Sequence, residues 1–302
     1  MSEVKALGGV LPVFQTPFLD DETIDDRTLG REIDWLFEQG VDGIVMAMVS
    51  EILRLSHEER MMLAQLACRF AQGRGTVTIS VGAESTKIAE ELARHAEDCG
   101  AHAVMAIPPV SVGASEDELM RYYARIIRAI QIPVVVQDAS SYVGKPLSVP
   151  LYQKMIEEFG ERVFFKPEAT PIGPRLSALR EGTGRRARVF EGTGGIALVD
   201  SYRRGIVGTM PGADLVRAIV PLWKALKGGD EETTYRINGP LVALVSLQGS
   251  LDAFLAIEKY LLVKQGVFRN TIVRGPVGFV LDDETRAEVD RLFGRLIGEV
   301  EK

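Results

Sequence analysis

The sequence predicts a (β/α)8 barrel over residues 1–228, followed by a helical C-terminal extension over residues 229–302. Three observations carry this expectation. Short apolar segments alternate with longer amphipathic ones from Val10 to Met210. The short segments are apolar throughout rather than at every second position, as in parallel strands buried on both faces. After about Lys227 the strand-like segments stop. The length of 302 residues accommodates a barrel of about 250 residues plus an extension. A doubly wound open sheet is the competing arrangement, but no dinucleotide fingerprint follows the first strand.

In chain order the expected strands are Val10–Phe14, Gly43–Met48, Val77–Val81, Ala103–Ile107, Val134–Gln137, Val163–Lys166, Arg188–Glu191 and Ile206–Met210. After the first strand, Leu29, Ile33, Leu36 and Phe37 fall on one helical face, and the pattern stops at Gly40. Ser56 precedes Glu59 by three residues, a capping box that opens the helix after the second strand. Ser115 and Glu118 repeat that spacing after the fourth. The segments ending at Gly100 and Gly160 are further helices closed by glycine. Beyond Lys227, three stretches around Tyr235, Phe254 and Phe293 carry only helical periodicity. Asp230–Glu232 is expected as a solvated turn.

Composition narrows the function classes. With 46% apolar and 25% charged residues, the chain can bury a sizeable core. A net charge of -7 and a pI near 5.3 argue against nucleic acid or an anionic membrane as partner. The two cysteines, Cys68 and Cys99, fall in helical segments and are expected as buried free thiols. The three histidines, His57, His95 and His102, lack metal-ligand spacing, so no metal is expected. The first residues lack a signal-peptide pattern, and no apolar run approaches the about 20 residues of a membrane span. A cytoplasmic protein is the expectation.

One segment carries chemistry. Val163-Phe-Phe-Lys-Pro-Glu-Ala-Thr170 ends an apolar strand on a lysine. Active sites of parallel barrels lie at the C-terminal ends of the strands. Strand alternation puts Phe164, Lys166 and Glu168 on one face. If that face is the interior, loss of hydration favours the neutral amine, which can attack a ketone to form a Schiff base. The plainer alternative is a solvated lysine paired with Glu168.

In this and four other segments the chain resembles the dihydrodipicolinate synthase / N-acetylneuraminate lyase family of Schiff-base aldolases and hydro-lyases. They are Gly8–Phe18, Val41–Arg60, Ile132–Gly144 and Phe190–Gly212. The resemblance implies that Lys166 is the imine lysine. It implies a 2-oxo acid substrate, no cofactor, and a homotetramer or homodimer.

The departures from the family pattern are specific. Where members commonly carry Gly-Thr-Thr-Gly-Glu, this chain has Ala47, Met48, Val49, Ser50 and Glu51. The tyrosine that ends the fifth strand is Gln137, and an amide is neither a general acid nor a general base. Val110 stands where the synthase places a cross-subunit tyrosine, and Tyr142 where it places a carboxylate-binding arginine. These changes argue against dihydrodipicolinate synthase activity. The form of the remaining motifs resembles members acting on 2-keto-3-deoxy sugar acids, such as 2-keto-3-deoxyarabonate-type dehydratases.

On this reading Glu168 is the candidate base, with a structural ion pair to an arginine such as Arg188 as the alternative. Gln137 and Asp138 are expected to orient substrate hydroxyls, or Asp138 to brace its loop. Ser50 and the amides around Val49 are expected to hold the C1 carboxylate, and Glu51 to fix that loop. Gly192, Thr193 and Gly194 offer backbone N–H groups close to a ligand, or serve only turn geometry. The function expected is a lyase, a dehydratase or retro-aldolase of a 2-keto-3-deoxy sugar acid. A non-catalytic 2-oxo-acid-binding protein on the same scaffold is the alternative. A phosphosugar enzyme on an unrelated barrel rests on fold analogy alone.

Overall fold

The computed structural model describes residues 7–140, 142 and 146–302. Positions 1–6, on which part of the signal-peptide reading rests, and 141, 143 and 144 of the fifth-strand motif lie outside the described residues.

Among the described residues eight parallel strands alternate with helices. They are β1 (Gly9–Val10), β2 (Gly43–Val45), β3 (Thr76–Ser80), β4 (Ala103–Ala106), β5 (Val134–Gln137), β6 (Val163–Lys166), β7 (Phe190–Glu191) and β8 (Gly208–Thr209). The ladders run β2-β3-β4-β5-β6 and β1-β8-β7. Single parallel bridges, Val13 to Val45 and Phe165 to Val189, join the two arcs into a ring. That ring removes the open-sheet alternative.

Several strands are shorter than the apolar runs that predicted them. The clearest case is β1, expected to reach Phe14. Pro12 has no N–H to give the ladder, so regular pairing stops at Val10. It resumes at Val13, which bridges both Val45 and Gly212.

The helices are α1 (Asp26–Glu38), α2 (His57–Ala71), α3 (Thr86–Asp98), α4 (Glu116–Ala129), α5 (Val149–Phe159), α6 (Ile172–Gly182), α7 (Leu198–Arg203) and α8 (Val216–Gly228). In α1, Leu29, Ile33 and Leu36 are fully buried, as their spacing requires. Ser56 and Glu59 form the reciprocal capping box of α2. At α4 only half of that device forms: Ser115 Oγ accepts from Glu118 N, while the Glu118 carboxylate pairs with Arg121. Cys68 and Cys99 are free but only half-buried: Cys68 packs against the core from α2, and Cys99 is the residue that ends α3. Burial still pushes the Cys68 thiol up to about 12.

The extension comprises α9 (Glu231–Val245), α10 (Leu251–Lys264) and α11 (Asp283–Val300). Asp230–Glu232 is not a free turn: Asp230 caps α9, its carboxylate accepting from Thr233 N at 3.0 Å. The two acidic residues after it lie in the first turn, where the helix dipole favours them.

Two layers of core follow from the strand period of two. Val134, Val136, Val163 and Phe165 pack outward against the helices. Val135, Phe164, Phe190 and Met210 fill the interior together with Phe254 and Leu255 of α10. The extension therefore plugs into the same interior that the strands enclose.

Candidate active site

β5 and β6 pair with Gln137 opposite Lys166. Because Val135 and Phe164 point inward, the same alternation turns Gln137 and Lys166 inward at the C-terminal strand ends. Lys166, Glu168 and Gln137 are 4%, 1% and 3% exposed. Lys166 Nζ donates to Glu168 Oε1, and Gln137 Nε2 donates to the same oxygen at 2.8 Å. The cation beside Glu168 is thus Lys166. Arg188 stacks over the Phe164 ring, 3.9 Å from its centroid.

These three side chains line a cavity of about 280 Å³ at the barrel mouth, together with Met48, Val49, Tyr142, Thr170, Gly192–Gly194, Gln248 and Phe254. Among the described lining residues Lys166 is the sole cation and Glu168 the sole carboxylate. The rest of the wall is largely apolar: Val13, Ile172, Ile196, Met210 and Val245 all contribute. Among the described residues no group of three or more His, Cys, Asp or Glu is placed to hold a metal ion.

Gly192 makes room for the lysine. A Cβ there would stand 2.5 Å from Lys166 Cε and 2.7 Å from Nζ, closer than real carbon contacts. The turn that carries it is fastened by Glu191. Its Oε1 accepts from the N–H of Thr193 at 2.6 Å and from its hydroxyl; its Oε2 accepts from Thr209 at 2.6 Å.

Asp138 and Ser50 stand behind the wall, outside the lining. Asp138 Oδ1 accepts from Glu168 N at 2.8 Å and from Ser140 N at 3.2 Å. Burial holds its carboxyl above the ordinary range. It fixes the backbone that carries Glu168. Ser50 Oγ donates to Phe14 O at 2.6 Å and accepts from Ala47 N at 3.1 Å, so its hydrogen bonds serve the framework. Val49 does line the cavity, in the 3₁₀ turn Met48–Ser50. Backbone N–H groups in such a first turn have no partner within the helix.

The loop after β2 is clamped from the extension. Glu51 adopts φ 61°, a left-handed conformation uncommon outside glycine. Its carboxylate pairs with Lys259 of α10. Lys259 Nζ also donates to Thr16 O at 2.9 Å and Ile272 O at 2.6 Å, and neither residue of the pair's side chains is exposed. The adjacent Glu258 accepts from Gln15 Nε2 at 2.5 Å and Ala213 N at 2.6 Å. Two consecutive residues of α10 thereby tie down the loops after β1, β2 and β8. Desolvation raises the carboxyls of Glu258 and Asp214, the latter to about 7. Neither this clamp nor Gln248 was signalled by the sequence, since their partners lie from 13 to 243 residues away.

The pattern of the dihydrodipicolinate synthetase family matches residues 6–294. The chain belongs to this family. Within it, an L-2-keto-3-deoxyarabonate dehydratase of Azospirillum brasilense is 28% identical over 95% of this chain and 94% of its own length. A 4-hydroxy-tetrahydrodipicolinate synthase of Bartonella bacilliformis is 29% identical over 94% of this chain and 96% of its own. The crystal structure of dihydrodipicolinate synthase from Rhodopseudomonas palustris superposes with a TM-score of 0.86. It is 28% identical, with 96% of this chain and 97% of that one covered. The family match places the chain in the family, overall identity does not choose among its activities, and the choice falls to the site.

Proposed function

We propose that the protein is a Schiff-base lyase that dehydrates or cleaves a 2-keto-3-deoxy sugar acid, with Lys166 as the imine-forming amine and Glu168 as the base. One observation carries the reading. A nearly buried lysine at a strand end faces a cavity and shares a single carboxylate oxygen with an amide, where a proton-relay tyrosine would otherwise stand. Proton transfer from lysine to Glu168 leaves a neutral amine beside the substrate ketone.

The amine adds to C2, and the carbinolamine hydroxyl leaves as water with the proton that Glu168 took from the lysine, which gives the protonated imine and an ionised Glu168. Glu168, held by Gln137, then accepts the proton from C3 to form an enamine. In a dehydration the enamine expels the C4 hydroxyl, which leaves as water with the proton from Glu168. Hydrolysis of the unsaturated imine restores the lysine. In a cleavage, Glu168 takes the C4 hydroxyl proton instead, the C3–C4 bond breaks to release an aldehyde and leave the enamine, Glu168 returns the proton to C3, and hydrolysis of the resulting imine frees pyruvate. The N–H groups of the Met48–Val49 turn and those of Gly192 and Gly194 are the donors for the C1 carboxylate. In this reading Ser50 and Asp138 act from behind the wall, as supports for Val49 and Glu168. Among the described lining residues Lys166 is the one cation, which supports a substrate with one carboxylate and a neutral far end. The Azospirillum dehydratase acts on a compound of that kind, as its name states.

A homodimer or homotetramer in the cytoplasm belongs to the same proposal. Among the described residues no helix is long and apolar enough to cross a membrane. Val112, beside Val110 in the loop after β4, is 59% exposed and would be covered by a second copy. Light scattering reads the mass.

The deciding experiment is borohydride trapping with pyruvate and L-2-keto-3-deoxyarabonate on wild type and Lys166→Ala, read by intact and peptide mass. A reduced adduct on the peptide carrying Lys166, absent in the variant, is expected. Turnover of the sugar acid separates an enzyme from a mere 2-oxo-acid binder. No adduct in folded wild type would remove the imine mechanism.

A further inference from the structure

Two glutamines line the cavity in the same chemical state. Gln137 gives its Nε2 to Glu168, and its Oε1 has no partner. Gln248, in the turn between α9 and α10, gives its Nε2 to Asp214 Oδ2 at 3.0 Å, and its Oε1 likewise has no partner. Gln248 is 6% exposed. In both, the carboxylate fixes which end of the amide is the acceptor, because a carboxylate oxygen takes the N–H₂ end. A buried amide oxygen left without a donor costs about 1–3 kcal/mol, and such groups in native structures find partners.

The two acceptors stand on different sides of the mouth. Gln137 ends β5, whereas Asp214, which orients Gln248, follows β8, three strands further round the ring. Gln248 is therefore removed from the imine lysine on β6 and belongs to the wall built by the extension. Its neighbours there, Val245 and Phe254, are apolar, and no described lining residue near it is charged.

We infer that Gln248 is a distal substrate-binding residue: its Oε1 accepts a hydrogen bond from a hydroxyl of the substrate chain beyond C4, making the extension the part that selects a hydroxylated tail. This rests on the Schiff-base reading above and sharpens it. Gln137 receives a hydroxyl near the reacting carbons, and Gln248 one further along, so the favoured substrate brings at least two hydroxyl donors. A pocket built to hydrogen-bond a hydroxyl discriminates strongly against an analogue lacking it, since its own buried group stays unpaired.

The test is a ligand-by-variant cycle on the full chain. Half-saturating concentrations for borohydride trapping are compared for pyruvate, 2-oxopentanoate and L-2-keto-3-deoxyarabonate, in wild type and Gln248→Met, with KM for the sugar acid and Tm as companions. Wild type is expected to hold the sugar acid at least about tenfold more tightly than 2-oxopentanoate. The variant is expected to lose most of that preference while its values for pyruvate and 2-oxopentanoate stay within about twofold. Gln248→Asn, which keeps the amide but withdraws it, is expected to fall between. An unchanged preference for the hydroxylated ligand in the methionine variant overturns the inference. So does an equal weakening of all three ligands, which would mark Gln248 as a support for the loop of Asp214. Absence of any pyruvate adduct in wild type would instead overturn the imine reading itself.

Discussion

Among the described residues are two buried lysine–glutamate pairs, and they are built for opposite ends. Lys166 and Glu168 are two residues apart, border a cavity, and share Glu168 Oε1 with an amide. Lys259 and Glu51 are 208 residues apart and sealed from solvent. Lys259 has three acceptors for its three N–H bonds: Glu51, Thr16 O and Ile272 O. An ammonium so saturated has no route to a free lone pair, and desolvation, which lowers it, is opposed by the Glu51 charge. Lys166 has the cavity in front of it. Burial of a lysine therefore says little about reactivity. What decides is whether its acceptors are complete and whether a ligand can reach it.

The largest effect that tests this contrast is on turnover. Lys166→Met is expected to abolish activity and trapping, and Glu168→Gln to lower kcat by about 10²–10⁴ while leaving pyruvate trapping measurable. Lys259→Met, in contrast, is expected to trap pyruvate wherever it remains folded. A 259 variant with no adduct but native Tm would break the distinction. Next in size, Gly192→Ala is expected to weaken trapping by roughly 10²-fold, since the added carbon occupies the space of the lysine tip, a misplacement of about an ångström. Its circular dichroism is expected to stay native.

Stability provides the complementary reading. Lys259→Met leaves Glu51 buried without its cation, a loss of about 3–5 kcal/mol in denaturant unfolding. Lys166→Met is expected to cost less, because Glu168 keeps the Gln137 donor and borders the cavity.

The smallest effect concerns Glu32, which accepts from Gln15 N at 2.9 Å beside this clamp. Desolvation raises its carboxyl to about 8. A raised acid keeps its proton in the folded chain while the unfolded chain releases it, so its presence lowers stability as pH rises from about 4.5 toward 8. Glu32→Gln keeps the acceptor without the titration. It is expected to flatten that fall and raise Tm at pH 8 by several degrees, on the order of 5 °C. Equal slopes in the two proteins would show that Glu32 does not titrate in this window.

Much of the barrel was legible because its signals are local. Apolar runs, the Ser56–Glu59 box and closing glycines each act within a few residues. The strand ends were less so: Pro12 interrupts a ladder that hydrophobicity alone extends to Phe14. Similarly, the Ser115–Glu118 spacing promised a reciprocal cap, but Arg121 competes for the carboxylate.

At the site, Lys166 and Glu168 could be read together because two residues on one strand face share a direction. That face pointing into a cavity, with Gln137 across from Lys166, depends on the β5–β6 register. Ser50 could not be placed from sequence. Whether its hydroxyl meets a ligand or Phe14 O is set by the segment that follows β1, 36 residues earlier.

The sequence by itself determined the alternation of strand and helix, the family, and the lysine that ends β6, because these follow from periodicity and short motifs. Only the tertiary structure decided that Lys259 is a clamp rather than a nucleophile, that Asp138 and Ser50 support the wall from behind, and that Gln248 joins it from the extension. Each depends on polar groups meeting across long stretches of chain. Such a meeting leaves no period or spacing in the sequence, because closing a loop of any length requires only that its ends arrive together.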